Sequence, residues 1–74
     1  MEFNWVNDFS INVAIEGNTV VLSANEAGLL SLANHLKTLA EAKGAGAHFH
    51  LDEFNALEDG SAELIVEKLP TGVR

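Results

Sequence analysis

The sequence predicts an α+β fold in which one small antiparallel four-stranded sheet carries a single helix across one face, in the order β-β-α-β-β. Three observations predict this fold. One segment, 23–43, has the period of a helix, the segments on either side alternate as strands do, and turn residues separate those strands. The chain has 74 residues and neither a repeat nor a linker, so we expect a single domain, 1–74, with a frayed tail over 70–74.

The N-terminal hairpin is predicted over residues 1–22. Its first strand has apolar residues at every second position, namely Ile11, Val13 and Ile15. Gly17 and Asn18 form a two-residue hairpin loop, because such loops need residues that tolerate positive φ, and 19–22 returns as the second strand. Residues 1–9 are compatible with two placements, an extension of the first strand or a separate arm.

The helix is predicted over residues 23–43. Ser23 and Glu26 have the spacing of a capping box, in which each side chain satisfies a backbone donor at the start of a helix. The predicted apolar stripe has spacings of three and four and consists of Leu29, Leu32, Ala33, Leu36, Leu39 and Ala40. Gly28 lies near this stripe, where the lack of a side chain lets a strand approach closely. His35 lies at the edge of the stripe and is expected to have no chemical role.

The second strand pair is predicted over residues 47–69. The side chains of its first strand alternate between the core and the outer side of the sheet. Those predicted to face the core are Ala47, Phe49 and Leu51, and those predicted to face outward are His48, His50 and Asp52. Asp52 is also placed to cap one helical turn over 53–57. The dipeptide Asp59-Gly60 predicts a turn before the last strand.

The composition excludes several functions. The formal net charge is −7, so the chain lacks the clustered Lys and Arg that nucleic-acid binding requires. The acidity suits either a basic protein partner or simple solubility. The chain has no cysteine, no apolar run of about 18 residues and no basic segment followed by an apolar one at its N-terminus. We therefore expect a cytoplasmic protein with no disulfide and no association with membranes.

The outer side of the third predicted strand carries a candidate metal site. His48, His50 and Asp52 share this side at intervals of about 7 Å, and two imidazoles with a carboxylate are suitable ligands for zinc or another divalent metal. Glu63 or Glu67 on the neighbouring strand would orient an imidazole through its second nitrogen. Two other interpretations remain open, a solvated strand face and a surface whose charge responds to pH through its histidines.

The loop between the last two strands carries four carboxylates, those of Asp52, Glu53, Glu58 and Asp59. An acid–base pair for catalysis would also need an apolar pocket, a nucleophile or an oxyanion site, and the sequence predicts none of these. We therefore predict that the protein is not an enzyme and has no catalytic residues. The four carboxylates are predicted to bind a protein partner.

Three segments carry a family resemblance. They are the start of the helix at 24–36, ANEAGLLSLANHL, the strand segment 48–52, HFHLD, and the segment 57–64, LEDGSAEL. Together these segments resemble the immunity protein 32 family, small bacterial proteins assigned to polymorphic-toxin systems. The resemblance extends over residues 20–68. It implies a cytoplasmic protein that binds and neutralises a cognate toxin, and it transfers no individual binding residues.

Two other functions fit the same sequence. One is a small metal-binding domain that uses the H-x-H-x-D strand. The other is a structural or regulatory homodimer, in which Ala14 and Ile65 add apolar contacts to the outer face of the predicted sheet.

If the protein is an immunity protein and its toxin is a basic nuclease, the acidic groups would imitate nucleic-acid phosphates.

Overall fold

The computed structural model describes residues 3–44, 46–70 and 72. Its elements are β1 (Ile11–Glu16), β2 (Thr19–Ala24), α1 (Glu26–Glu41), β3 (His48–Leu51) and β4 (Leu64–Glu67). The predicted α+β class and the predicted order of strands and helix are therefore confirmed. Most of the predicted tail, 70–74, lies outside the described residues, as do the first two residues of the chain.

The β1–β2 hairpin has the predicted form. The strands pair antiparallel from Ile11 opposite Ala24 to Glu16 opposite Thr19. Gly17 begins the two-residue loop with a φ of +62°, which glycine adopts without the steric cost that a Cβ adds. Opposed residues share one face, so the buried face of the hairpin includes the side chains at the start of β1.

The strands do not form the predicted single four-stranded sheet. Within the described residues, β1 pairs with β2 and β3 pairs with β4, in two separate antiparallel sheets. The free edge of β1 is occupied instead by residues 58–62, which precede β4. The N–H of Glu58 donates to the carbonyl of Ile11 (2.9 Å) and that of Ala62 to the carbonyl of Val13 (2.8 Å). This irregular segment connects the two sheets, whereas the predicted four-stranded sheet requires a strand from each hairpin to pair directly.

The helix begins at Glu26, three residues later than predicted, and Ser23 belongs to β2. The N-cap is Asn25, so the predicted capping box is wrong. The Asn25 Oδ1 accepts from the N–H groups of Gly28 (2.7 Å) and Ser10 (3.0 Å). Because β2 pairs with β1 as far as Ala24, the backbone at Ser23 stays extended and the cap moves to the next polar residue.

The buried face of α1 is rotated from the predicted leucine stripe. Leu29 and Leu36 are half exposed, although both were expected in the core. Gly28 lies against the β1 hairpin, where a Cβ would be only 2.5 Å from the carbonyl oxygen of Ser10, so the predicted close approach is confirmed. The buried residues of the helix are Gly28, Ser31, Leu32, His35 and Leu39.

The N-terminal segment, residues 3–10, is an arm that packs along α1 and does not extend β1. The Ser31 hydroxyl, fully buried, accepts from the N–H of Val6 (2.8 Å), and the Asn34 side chain donates to the carbonyl of Asn4 (3.1 Å). These bonds explain why the helix buries a serine where the sequence predicts leucines. The arm covers that face and supplies the matching polar groups.

The core lies between the helix, the start of β1 and the inner face of the second sheet. Its buried apolar residues are Ile11, Val13, Leu32, Leu39, Phe49, Leu51 and Leu57. At the end of α1, the Lys68 ammonium donates to the carbonyls of Ala40 (2.8 Å) and Ala42 (2.7 Å). A cation there satisfies carbonyls that have no partner within the helix.

Candidate functional site

The outer face of the β3–β4 sheet carries the histidines, as the alternation predicts. His48 lies opposite Glu67 and His50 opposite Ile65. All four of these residues are exposed, whereas Phe49 and the other inward residue of β3 are buried. Ile65, predicted as an apolar spot on an outer face, has 58% of its surface exposed.

Three ligand-type side chains meet at the end of this face. The His50 Nε2 lies 3.8 Å from the Asp52 Oδ2 and 3.7 Å from the Glu63 Oε2. One potential ligand atom of each residue lies within 4.8 Å of the other two. His48 is not in this group, and its Nδ1 lies 3.1 Å from the carbonyl oxygen of Gly46. The cluster therefore contains His50 and Asp52 of the predicted site, with Glu63 in place of His48.

Asp52 also organises the turn that follows β3. Its Oδ1 accepts from the N–H groups of Phe54 (2.9 Å) and Asn55 (3.0 Å). Its carbonyl accepts from the N–H of Leu57 (2.8 Å), and the Asn55 Oδ1 accepts from the Asp52 N–H (2.9 Å). Asp52 thus bonds to the backbone N–H groups that follow it, as predicted, but residues 53–56 form a turn and not the predicted helical turn. The carboxylate is thus held through one oxygen, while the other lies beside His50.

The acidic loop comprises residues 52–60, and its four predicted carboxylates have different surroundings. The Glu53 Oε2 accepts from the N–H of Gly60 (2.9 Å), which ties the start of the loop to its end. The side chains of Glu58 and Asp59 are exposed and have no hydrogen bond or ion pair within the described ranges. The structure therefore gives Asp52 and Glu53 a role in holding the loop and leaves Glu58 and Asp59 accessible.

Phe54 stands out at the tip of the acidic loop, with 90% of its surface exposed. Its backbone N–H is fixed by Asp52, so the ring is presented from a constrained turn. Burying a phenyl ring in a partner's pocket contributes about 1.5–3 kcal/mol. The sequence patterns described above did not identify Phe54 as a candidate binding residue. The available signal was an aromatic residue inside a predicted polar turn, where neither a strand nor a helix period requires one.

His35 is buried at the junction of the arm, the helix and β3, with only 1% of its surface exposed. The rings of Phe3, Trp5 and Phe49 make edge-to-face contacts with the imidazole, at centroid distances of 4.1–5.7 Å. Neither ring nitrogen has a hydrogen-bond partner among the described residues. Loss of hydration through burial lowers the pKa of His35. The residue was predicted at the edge of a helix stripe, and it lies in the core instead.

These features define a small acidic α+β domain with an exposed polar strand face and a constrained acidic loop. Within the described residues, no helix has the length and apolar character needed to cross a bilayer. The chain belongs to the immunity protein 32 family, because the model of that family, Immunity protein 32, matches residues 19–69. The predicted resemblance is thereby confirmed. Searches among curated proteins and among solved structures each found no match to the chain.

Proposed function

We propose that this protein is a non-enzymatic immunity protein that acts in the cytoplasm and neutralises a cognate toxin by binding it through the acidic loop. Membership of the immunity protein 32 family supports a partner of this class. The acidic loop is chosen as the binding surface because Phe54 is almost fully exposed there and has carboxylates on both sides in the sequence.

The loop combines an apolar anchor with charge that discriminates between partners. Interfaces concentrate their affinity in a few central side chains, often aromatic, while charges around them select the partner and raise the association rate. Phe54 supplies the anchor. Glu58 and Asp59 supply accessible negative charge, and the bonds of Asp52 and Glu53 keep the loop in one conformation. Such a surface complements a basic toxin face that contains an apolar pocket.

The test begins by sequencing the DNA that flanks this gene, where we expect a gene for a large secreted protein; the C-terminal domain of that protein then serves as the toxin. Wild-type protein is expected to restore the growth of cells that express this domain and to bind it in titration calorimetry. Phe54→Ser, or the double variant Glu58→Lys with Asp59→Lys, is expected to weaken binding at least tenfold and to reduce rescue. These side chains are exposed, so the variants are expected to keep the wild-type circular dichroism spectrum.

The matched control is Glu16→Lys with Glu41→Lys, which makes the same change in net charge at exposed positions far from the loop in sequence. This control is expected to retain most of the affinity. Equal losses in the two double variants would show that net charge, and not the loop, controls binding. Unchanged affinity in the loop variants would place the interface elsewhere, and absence of rescue by the wild type would reject the proposed function.

A further inference from the structure

We infer that His50, Asp52 and Glu63 form a site for a divalent transition metal, with Zn²⁺ as the best match. The three side chains come from the end of β3, the residue after it and the residue before β4. The site lies beside the acidic loop, but the inference does not depend on toxin binding.

The distances between the three side chains fit ligands of one metal ion better than they fit hydrogen bonds between the side chains. The His50 Nε2 is 3.8 Å from Asp52 and 3.7 Å from Glu63, beyond the range of a good hydrogen bond. Two ligand atoms bound to one tetrahedral Zn²⁺ at 2.0–2.2 Å lie about 3.3–3.6 Å from each other. The two distances from His50 would have to shorten by a few tenths of an ångström, and the distance between the two carboxylates, which lies within 4.8 Å, by up to about 1.5 Å.

The charges point to the same ligand. The carboxylates of Asp52 and Glu63 have oxygen atoms within 4.8 Å of each other, and like charges at this distance repel. A divalent cation bound between them would neutralise both carboxylates. One nitrogen and two carboxylate oxygens favour Zn²⁺ over Mg²⁺ or Ca²⁺, which prefer oxygen ligands alone.

The backbone partly preorganises the site. The Oδ1 of Asp52 is held by two N–H groups, so its Oδ2 is fixed on the side of His50. His50 and Asp52 are two residues apart at the end of one strand, and Glu63 immediately precedes the strand that pairs with it. Three protein ligands leave a fourth tetrahedral position for water or for a group from another molecule.

The test is a calorimetric titration of the tag-free, chelator-treated full chain with ZnCl₂. We expect one ion per chain and a melting temperature that rises with zinc concentration, because a ligand of the folded state stabilises that state. His50→Ala and Glu63→Gln are each expected to weaken binding at least as much as loss of an outer-shell partner does, about 10- to 100-fold. Excess Mg²⁺ is not expected to displace the zinc.

The matched control is His48→Ala, which removes an exposed imidazole from the same strand face and is expected to leave affinity unchanged. In a nitrogen-resolved NMR spectrum, zinc is expected to shift the ring of His50 and not that of His48 or His35. Absence of heat and of a thermal shift in the wild type would overturn the inference. So would full affinity in His50→Ala, or an equal loss in His48→Ala. The Glu58/Asp59 charge reversal is expected to leave zinc binding intact, which separates this test from that of toxin binding.

Discussion

The stability of the folded state depends on the protonation of a single residue, His35. A buried polar group without a hydrogen bond costs free energy, and a buried charge costs more. The aromatic contacts from Phe3, Trp5 and Phe49 suit a neutral ring and offer no acceptor for an imidazolium. Protonation of His35 therefore opposes the folded state.

The free energy of unfolding is expected to fall as pH drops below about 6.5. The pKa of His35 is lowered in the folded state, so below the ordinary histidine value the unfolded chain binds a proton that the folded chain does not. Stability then falls by up to about 1.4 kcal/mol per pH unit until the folded pKa is reached, and no such loss occurs above pH 7. Urea unfolding at pH 7.5 and 5.5 measures this difference.

The control for this prediction is His35→Leu, which fills a similar space without a titratable group. It is expected to be at least as stable as the wild type at pH 7.5 and to lose much less stability at pH 5.5. His48→Gln removes an exposed histidine and is expected to keep the wild-type pH dependence. A His35→Leu protein with the same pH dependence as the wild type would contradict the argument.

The sequence predicts whether a residue is buried or exposed where a single hydrophobic period fits the segment. The alternation on β3 placed His50 and Asp52 correctly on one side. On α1, the leucine stripe and the true buried face are neighbouring stripes of one helix, and helical spacing cannot choose between them. The arm decides, because Val6 bonds to Ser31 and the rings of the arm enclose His35. Packing between segments distant in the sequence is not encoded in a local period.

At the scale of elements, the junction between α1 and the β1 hairpin depends on Gly28. We expect Gly28→Ala to lower the free energy of unfolding by about 1–3 kcal/mol, measured by urea denaturation. An added Cβ would lie 2.5 Å from the Ser10 carbonyl oxygen and 3.0 Å from side-chain atoms of Ile11 and Ala24. The helix or the hairpin would have to move.

Helix propensity alone predicts the opposite sign for this substitution. Alanine favours a helix by about 1 kcal/mol over glycine, so a stabilised Gly28→Ala protein would show that the two backbones are not in close contact. Ala40→Gly, at an exposed position of the same helix, supplies the reference. It is expected to lose about 1 kcal/mol through propensity alone.

The type and order of the elements followed from the sequence, whereas their pairing did not. Alternation and turn residues identified four strands, and Gly17 and Gly60 lie in turns with positive φ as expected. The prediction of one sheet failed because residues 58–62, of which all but Ala62 were predicted as a loop, occupy the edge of β1. An irregular segment that pairs through its backbone has no hydrophobic period in its sequence, so this pairing could not be predicted. The acidic-loop and metal-site assignments remain predictions.

The whole molecule carries a net charge of −7, which acts on encounter with a partner before any contact forms. For the toxin interaction proposed above, we expect the association rate to fall at least about tenfold as salt rises from 20 to about 500 mM, while dissociation changes less. The reason is screening, since the Debye length falls from tens of ångströms to a few. Stopped-flow mixing measures both rates.

A salt-independent association rate would show that charge does not guide encounter, and the partner would then have no basic surface. The Glu58/Asp59 and Glu16/Glu41 charge reversals distinguish two sources of steering. A smaller salt dependence in both variants would indicate the field of the whole molecule. A reduction in the loop variant alone would indicate a field localised at the acidic loop.

The bond network on the free edge of β1 also determines when during synthesis the fold can form. The hydroxyl of Ser61 accepts from the N–H of Val13, a partner 48 positions earlier in the chain. Contacts between positions that are distant in the chain require the closure of a long loop, and this slows folding. A growing chain that has reached only the acidic loop has made β1 without its second neighbour and β3 without β4. For the function proposed above, binding of the toxin would therefore begin only after the residues through β4 have been translated.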